Sequence, residues 1–314
     1  MKKIAIYFVI AVLAMTVSSK NCLADAQDGA GGFSITPFFQ DITLAAEQSR
    51  SSFSVEIANN TQNTALFKLF ILDFGALDES GGVALFGAEQ NLTNKYGLAA
   101  WAELDRSELL LQSGEKQTIQ VTVQNTKELS PGGHYAAIVA KIESGKKESI
   151  NESAEIALNP SFTSLMFLRK LGGELHGLEL KDQEIVKNIF QRPLAIKLRF
   201  QNTGNVHEVP RGLVRVTDMF GREVARGIIN LESALILPET ARIFPITLRD
   251  TSWAIFPGRY KVAVEYRYDG KDDFTVVQQN INLIPIMPML VILMLVILVW
   301  CVYFQIRKRA KDKQ

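Results

Sequence analysis

The chain has 314 residues, with 34 Lys+Arg against 33 Asp+Glu, 47% apolar residues, 10 Pro and 21 Gly. That balance excludes a disordered polyelectrolyte and a collagen-like repeat. A net charge of +1 gives no whole-molecule case for nucleic-acid binding, and the length suits about two domains.

The N-terminus reads Met1-Lys2-Lys3, then an uncharged run from Ile4 to Val17, then Ser18-Ser19-Lys20. Basic, apolar and small-residue regions in that order predict a secretory signal peptide over 1–26, with Ala24-Asp25-Ala26 as the cleavage site. As a helix the run would rise only about 21 Å, short of a ~30 Å hydrocarbon core.

From residue 33 to 283 the pattern has period 2. Phe53, Val55 and Ile57 alternate with polar residues, as do Ile119, Val121 and Val123, then Ile196, Leu198 and Phe200, then Tyr260, Val262, Val264 and Tyr266. Such alternation predicts antiparallel sheets with one wet face. Leu66–Phe74 is apolar on both faces apart from Lys68 and Asp73 and reads as a more central strand. Turn signals punctuate the strands, among them Asn59-Asn60, Pro131-Gly132-Gly133, Asn202-Thr203-Gly204 and Pro257-Gly258.

An internal repeat recurs in order. A strand ends in an Asn-rich turn (Asn59, then Asn202). A bend follows that carries Glu115 in one copy and Glu239 in the other. A Pro-Gly turn then leads into a tyrosine, Tyr135 or Tyr260. Those tyrosines sit where immunoglobulin-like sandwiches place a corner tyrosine. The expected fold is all-β: two tandem immunoglobulin-like sandwiches, 33–171 and 172–282, followed by one C-terminal transmembrane helix.

That helix is expected over 283–304, a 22-residue uncharged run, with Trp300 and Tyr303 at its inner interface. The tail 305–314 carries Arg307, Lys308 and Arg309, which would fix it on the cytoplasmic side. The expected location is thus single-pass in the cytoplasmic membrane, with the bulk outside the cytoplasm and the lipid bilayer as one partner. The tail carries a net +4 and the first 26 residues +2, which leaves the body near −5 and argues against a nucleic-acid surface. The two cysteines, Cys22 and Cys301, both lie outside the body, so disulfides cannot hold it. Such a cysteine-free body behind a short leader reads as bacterial.

The body resembles the periplasmic-chaperone-like immunoglobulin domains of bacterial WxL-interacting-type surface proteins. The resemblance rests on Pro37, Phe53-x-Val55-x-Ile57-x-Asn59, Asp73-Phe74, Trp101, Gly114-Glu115 and Pro131-Gly132-Gly133-x-Tyr135. In the second domain it rests on Asn202 to His207 and Phe256-Pro257-Gly258-x-Tyr260. It implies a surface that meets cell-wall polymer or partner proteins. The paired basic anchors of pilus chaperones are not located in this sequence.

Chemistry is sparse. The histidines His134, His176 and His207 lack metal-ligand spacing, and no nucleophile elbow or phosphate loop appears. His134 and His207 fall in predicted turns and read as solvated. Asp78-Glu79 reads as solvated loop charge, and Asp73 as a strand-end or turn acid. No enzyme activity, catalytic residue, metal or cofactor is expected. The long segment 75–101 is the candidate contact loop, through Phe86, Tyr96 and Trp101.

The leading function is a membrane-anchored extracytoplasmic binding or scaffold protein, contacting wall polymer or exported proteins through loops or edge strands. Two alternatives remain: a membrane-tethered chaperone for exported subunits, and a carboxylate-dependent enzyme or enzyme subunit.

Overall fold

The computed structural model describes residues 32–87, 94–143, 161–187, 193–251, 256–283 and 286–311. The predicted signal peptide lies outside them.

Among the described residues up to 283 the regular structure is β-strand, apart from one 3-10 turn at Ala99–Trp101. The first sandwich is built from β1 (Phe33–Thr36), β2 (Phe39–Leu44), β3 (Arg50–Asn59), β4 (Ala65–Ala76), β5 (Val83–Leu85), β6 (Ala102–Leu104), β7 (Glu108–Leu111), β8 (Lys116–Gln124), β9 (Gly132–Glu143) and β10 (Ser161–Lys170). One sheet runs β1-β3-β8-β6, the other β2-β10-β9-β4-β5 with β7 also on β4. The opening strand breaks at Pro37, which has no N–H for a ladder. Before the break β1 pairs with β3; after it β2 runs parallel to β10 in the opposite sheet.

The second sandwich follows after Leu171. It comprises β11 (Leu178–Lys187), β12 (Pro193–Asn202), β13 (Arg211–Thr217), β14 (Glu223–Ile229), β15 (Ala241–Thr247), β16 (Arg249–Asp250), β17 (Gly258–Arg267) and β18 (Thr275–Leu283). Its sheets run β11-β12-β15 and β16-β14-β13-β17-β18.

The period-2 residues close both cores. Val55, Ile57, Ile119, Val121 and Val123 are buried in the first sandwich; Ile196, Leu198, Phe200, Tyr260, Val262 and Val264 in the second. Each fully buried side chain of this size contributes about 1.5–3 kcal/mol, and such clusters hold a body without cysteines. The apolar character of Leu66–Phe74 on both faces has a different cause from the one expected. Phe67 and Leu69 enter the core, whereas Phe70, Leu72 and Phe74 belong to a separate cluster that includes Leu235 and Leu237 of the second sandwich.

The expected membrane span over 283–304 is corrected, and with it the single-pass location and the bilayer as partner. Among the described residues no helix is long and apolar enough to cross a membrane. Leu283 is the last residue of β18 and is wholly buried in the second core. The helix α1 runs over Ile286–Lys311 and takes in Arg307, Lys308 and Arg309. Trp300 and Tyr303 are exposed on it, and Trp300 stacks edge-on against Phe304 at 4.7 Å.

Candidate binding surface between the two sandwiches

A sheet with one wet face should be polar there. The outer face of the β2-β10-β9-β4-β5 sheet is not. Phe74, Tyr135, Ala137, Val139 and Phe167 are buried on it, with Phe70, Leu72 and Leu165 half-buried beside them. Their rings pack edge-on: Phe74 on Phe167 at 5.3 Å, Tyr135 on Phe167 at 5.8 Å. The second sandwich covers part of this face with Leu235 and Leu237. The rest walls a cleft of about 500 Å³, lined by Phe39, Phe74, Phe167, Leu235, Leu237 and Arg242 among others. Phe38 and Phe39, at 68% and 55% exposure, also border it.

Hydrogen bonds centred on Glu79, Glu239 and Asn205 span the two sandwiches around the cleft. The Arg199 guanidinium donates to both Glu79 oxygens, at 2.7 and 2.6 Å, and the Ile243 N–H donates to the Glu79 carbonyl at 2.8 Å. Paired guanidinium bonds hold the Glu79 carboxyl below its usual range. Lys95 and the Tyr96 hydroxyl both donate to Glu239, at 2.5 and 2.9 Å. The Gly133 N–H donates to the Asn205 carbonyl at 2.8 Å, while the Asn205 side chain donates to Gly173 and accepts from Leu175. Gly132, with φ 120°, lies so close to Asn205 that a Cβ there would touch its carbonyl at 2.9 Å.

Behind the cleft lies a buried polar junction. His207 is 1% exposed, and its ring meets Tyr135 and Phe167, each at 5.8 Å. Arg169 of β10 approaches its Nε2 at 3.4 Å, and the Tyr135 hydroxyl its Nδ1 at 3.3 Å. Arg211 holds Asp269 at 2.8 Å, and Arg169 lies 3.8 Å from the same carboxylate. His176 Nδ1 stands 2.7 Å from Glu208, which is wholly buried. Burial drives the titrations apart. His207 falls to about 4, and Glu208 rises to about 8 by burial and the neighbouring Asp269 charge.

The predicted contact residues Phe86, Tyr96 and Trp101 are partly buried, and each has a neighbour within the molecule. Trp101 ends a 3-10 turn, Ala99–Trp101, and packs against the first core, 6.1 Å from His134. Tyr96 joins the two sandwiches through Glu239. Phe86 lies across Gly75 of β4. Tyr260 forms a corner, its hydroxyl donating to the Phe256 carbonyl at 2.5 Å, whereas Tyr135 points across the junction to His207.

His134, His207 and Glu79 differ from expectation, whereas Asp73 keeps the turn role expected of it. His134 is not a solvated turn residue: it is 1% exposed, with Nδ1 2.9 Å from the Gly97 carbonyl and Nε2 2.8 Å from that of Ser130. Burial lowers its pKa, against the pull of those carbonyls and Asp73. His207 is buried for the reason just given. Asp73 is wholly buried and accepts the Leu98 and Ala99 N–H groups at 2.8 and 2.7 Å, which fixes the turn before Trp101. Glu79 is an inter-sandwich ligand. Sequence reasoning missed Arg199, Asn205 and Arg169, whose only prior signal was charge or amide on a strand or turn.

No protein-family model and no curated protein matches the chain. It is similar to solved structures described as a chaperone–tip adhesin complex of CFA/I fimbriae biogenesis and as the class 5 fimbriae chaperone CfaA. Each is 12% identical with a TM-score of 0.43, over 81% and 79% of this chain and 99% of each matched chain. It is also similar to the E. coli chaperone DraB, at 14% identity and a TM-score of 0.35, over 80% of this chain and 99% of that one. The likeness is one of fold alone, and it does not show the WxL-interacting type.

Proposed function

We propose that the chain is a binding protein of chaperone-like action that receives an extended segment of a polypeptide partner at the cleft. The carrying observation is the apolar outer sheet face, which the second sandwich covers only in part. Phe38 and Phe39 would meet apolar side chains of the partner, and partial exposure of large rings on a rigid frame is the usual mark of such contact. Residues 161–164 of β10 supply a second handle. They pair with β9 on one side, while pairing with β2 begins only at Leu165. An extended segment could add to that edge.

The leader-like residues 1–26 make an exported protein the matching partner class. The WxL-interacting type rests on the sequence motifs alone, and a wall polymer has no comparable observation behind it. No catalysis is assigned.

The test is a photo-crosslinking residue placed at Phe39, with Ile228, exposed at 58% and away from the cleft, as control. Position 39 should give polypeptide adducts that position 228 does not. Equal labelling at both positions would remove the reading.

A further inference from the structure

The buried junction contains a histidine that serves only in one protonation state. Arg169 has donors and no acceptor, so the nitrogen it approaches at 3.4 Å, Nε2 of His207, must carry a lone pair. The ring proton then sits on Nδ1 and faces the Tyr135 hydroxyl at 3.3 Å. We propose that His207 is a proton-operated latch of the junction: neutral, it receives the Arg169 guanidinium; protonated, it repels it, and the two sandwiches loosen beside the cleft.

The surrounding charges decide the sign. From β2, Asp41 lies 3.9 Å from Nε2 and would welcome a proton there, but its side chain is 57% exposed and water screens it. From β10, Arg169 opposes a second cation at 3.4 Å from Nε2, on a ring that is itself 1% exposed. From the turn after β17, Asp269 favours the proton, yet Arg211 and Arg169 already share it. Ahead of β11, His176 opposes the proton and is occupied by Glu208. From β9, Tyr135 is neutral and buried and contributes no charge. Burial of the ring between Tyr135 and Phe167 adds to the opposition. The low titration of His207, near 4, agrees with that balance.

Phe167 and Asp41 also line the cleft, so the latch and the cleft share a wall. The latch does not depend on a partner being bound.

The experiment uses the full chain, in mild detergent to shield the exposed helix. Fluorescent labels on Leu77 and Leu231, both strongly exposed and on different sandwiches, report their separation as pH is lowered from 7 to 3. The wild type should separate near pH 4. His207→Gln keeps an acceptor but cannot gain a charge, and should stay closed at least one pH unit lower. Asp41→Asn removes a carboxylate 3.9 Å from Nε2, and should also lower the midpoint. In wild type, nitrogen NMR of His207 should show the proton on Nδ1 at neutral pH. Identical midpoints for wild type and His207→Gln would overturn the proposal, as would an Nε2-protonated ring at pH 7. Should His207→Gln fail to fold, the Asp41→Asn midpoint and the ring tautomer decide alone.

Discussion

Asn59 and Asn202 make the same three hydrogen bonds in the two sandwiches. In each, Nδ2 donates to the carbonyl four residues on: Asn63 at 2.8 Å, Val206 at 2.6 Å. The same Nδ2 also donates across the sandwich, to Leu111 at 3.1 Å and Ile236 at 2.9 Å. Oδ1 accepts the N–H two residues on, from Thr61 and from Gly204. Both side chains are wholly buried. The repeated Asn turn and the repeated bend after it are thus one device used twice: the asparagine pins the bend strand to the turn.

Asn59→Ala and Asn202→Ala should therefore each destabilise by about 2–3 kcal/mol, because buried carbonyls and an N–H lose their partner. Urea unfolding would measure it. A loss below about 0.5 kcal/mol at either site would contradict the pinning role.

Glu79 and Arg199 should make the contact between sandwiches acid-sensitive. The carboxyl is held below its ordinary value by Arg199, so its contribution is complete above the unfolded carboxylate pKa, near 4.3, and is lost as pH falls through the lower folded value. Both groups are substantially exposed, so salt should weaken the contact as well. Arg199→Ala should increase hydrogen exchange at the Ile243 amide at neutral pH, and 1 M salt should move wild type in the same direction.

Glu208 works in the opposite sense. Its folded pKa is raised to about 8, so the folded protein holds a proton that the unfolded chain releases near 4.3. Stability is full below that unfolded value and erodes as pH rises toward 8. Glu208→Gln should remove the erosion. Its melting temperature should exceed that of wild type at pH 8 by more than at pH 5, and a constant offset across that range would count against the assignment.

Tyr260→Phe should cost about 1 kcal/mol, the worth of one hydroxyl bond to the Phe256 carbonyl, and leave the backbone unchanged. Chemical denaturation with the circular dichroism spectrum as control would show it.

The strands were legible because a half-buried sheet writes a two-residue period into the chain. Val262, Val264 and Tyr266 show it, and so do the Asn turns that separate strands. The junction was not legible, because it joins residues far apart whose types suit solvent equally well. Glu79 reads as a loop acid until Arg199, 120 residues on, is placed beside it. His207 follows a turn signal and looks wet, yet it is roofed by Tyr135 and Phe167 from the other sandwich. The one residue run that did announce the junction, Leu66–Phe74, did so by being oily on both sides, a pattern that a central strand and a domain contact produce alike.

That second oily side makes the two halves obligate companions. Cut after Leu171, the first sandwich would carry Phe70, Leu72, Phe74 and Phe167 into water on an open wall, an invitation to clump. The short joint between the halves thus acts as a permanent tether, keeping the cover within reach of the surface it shields.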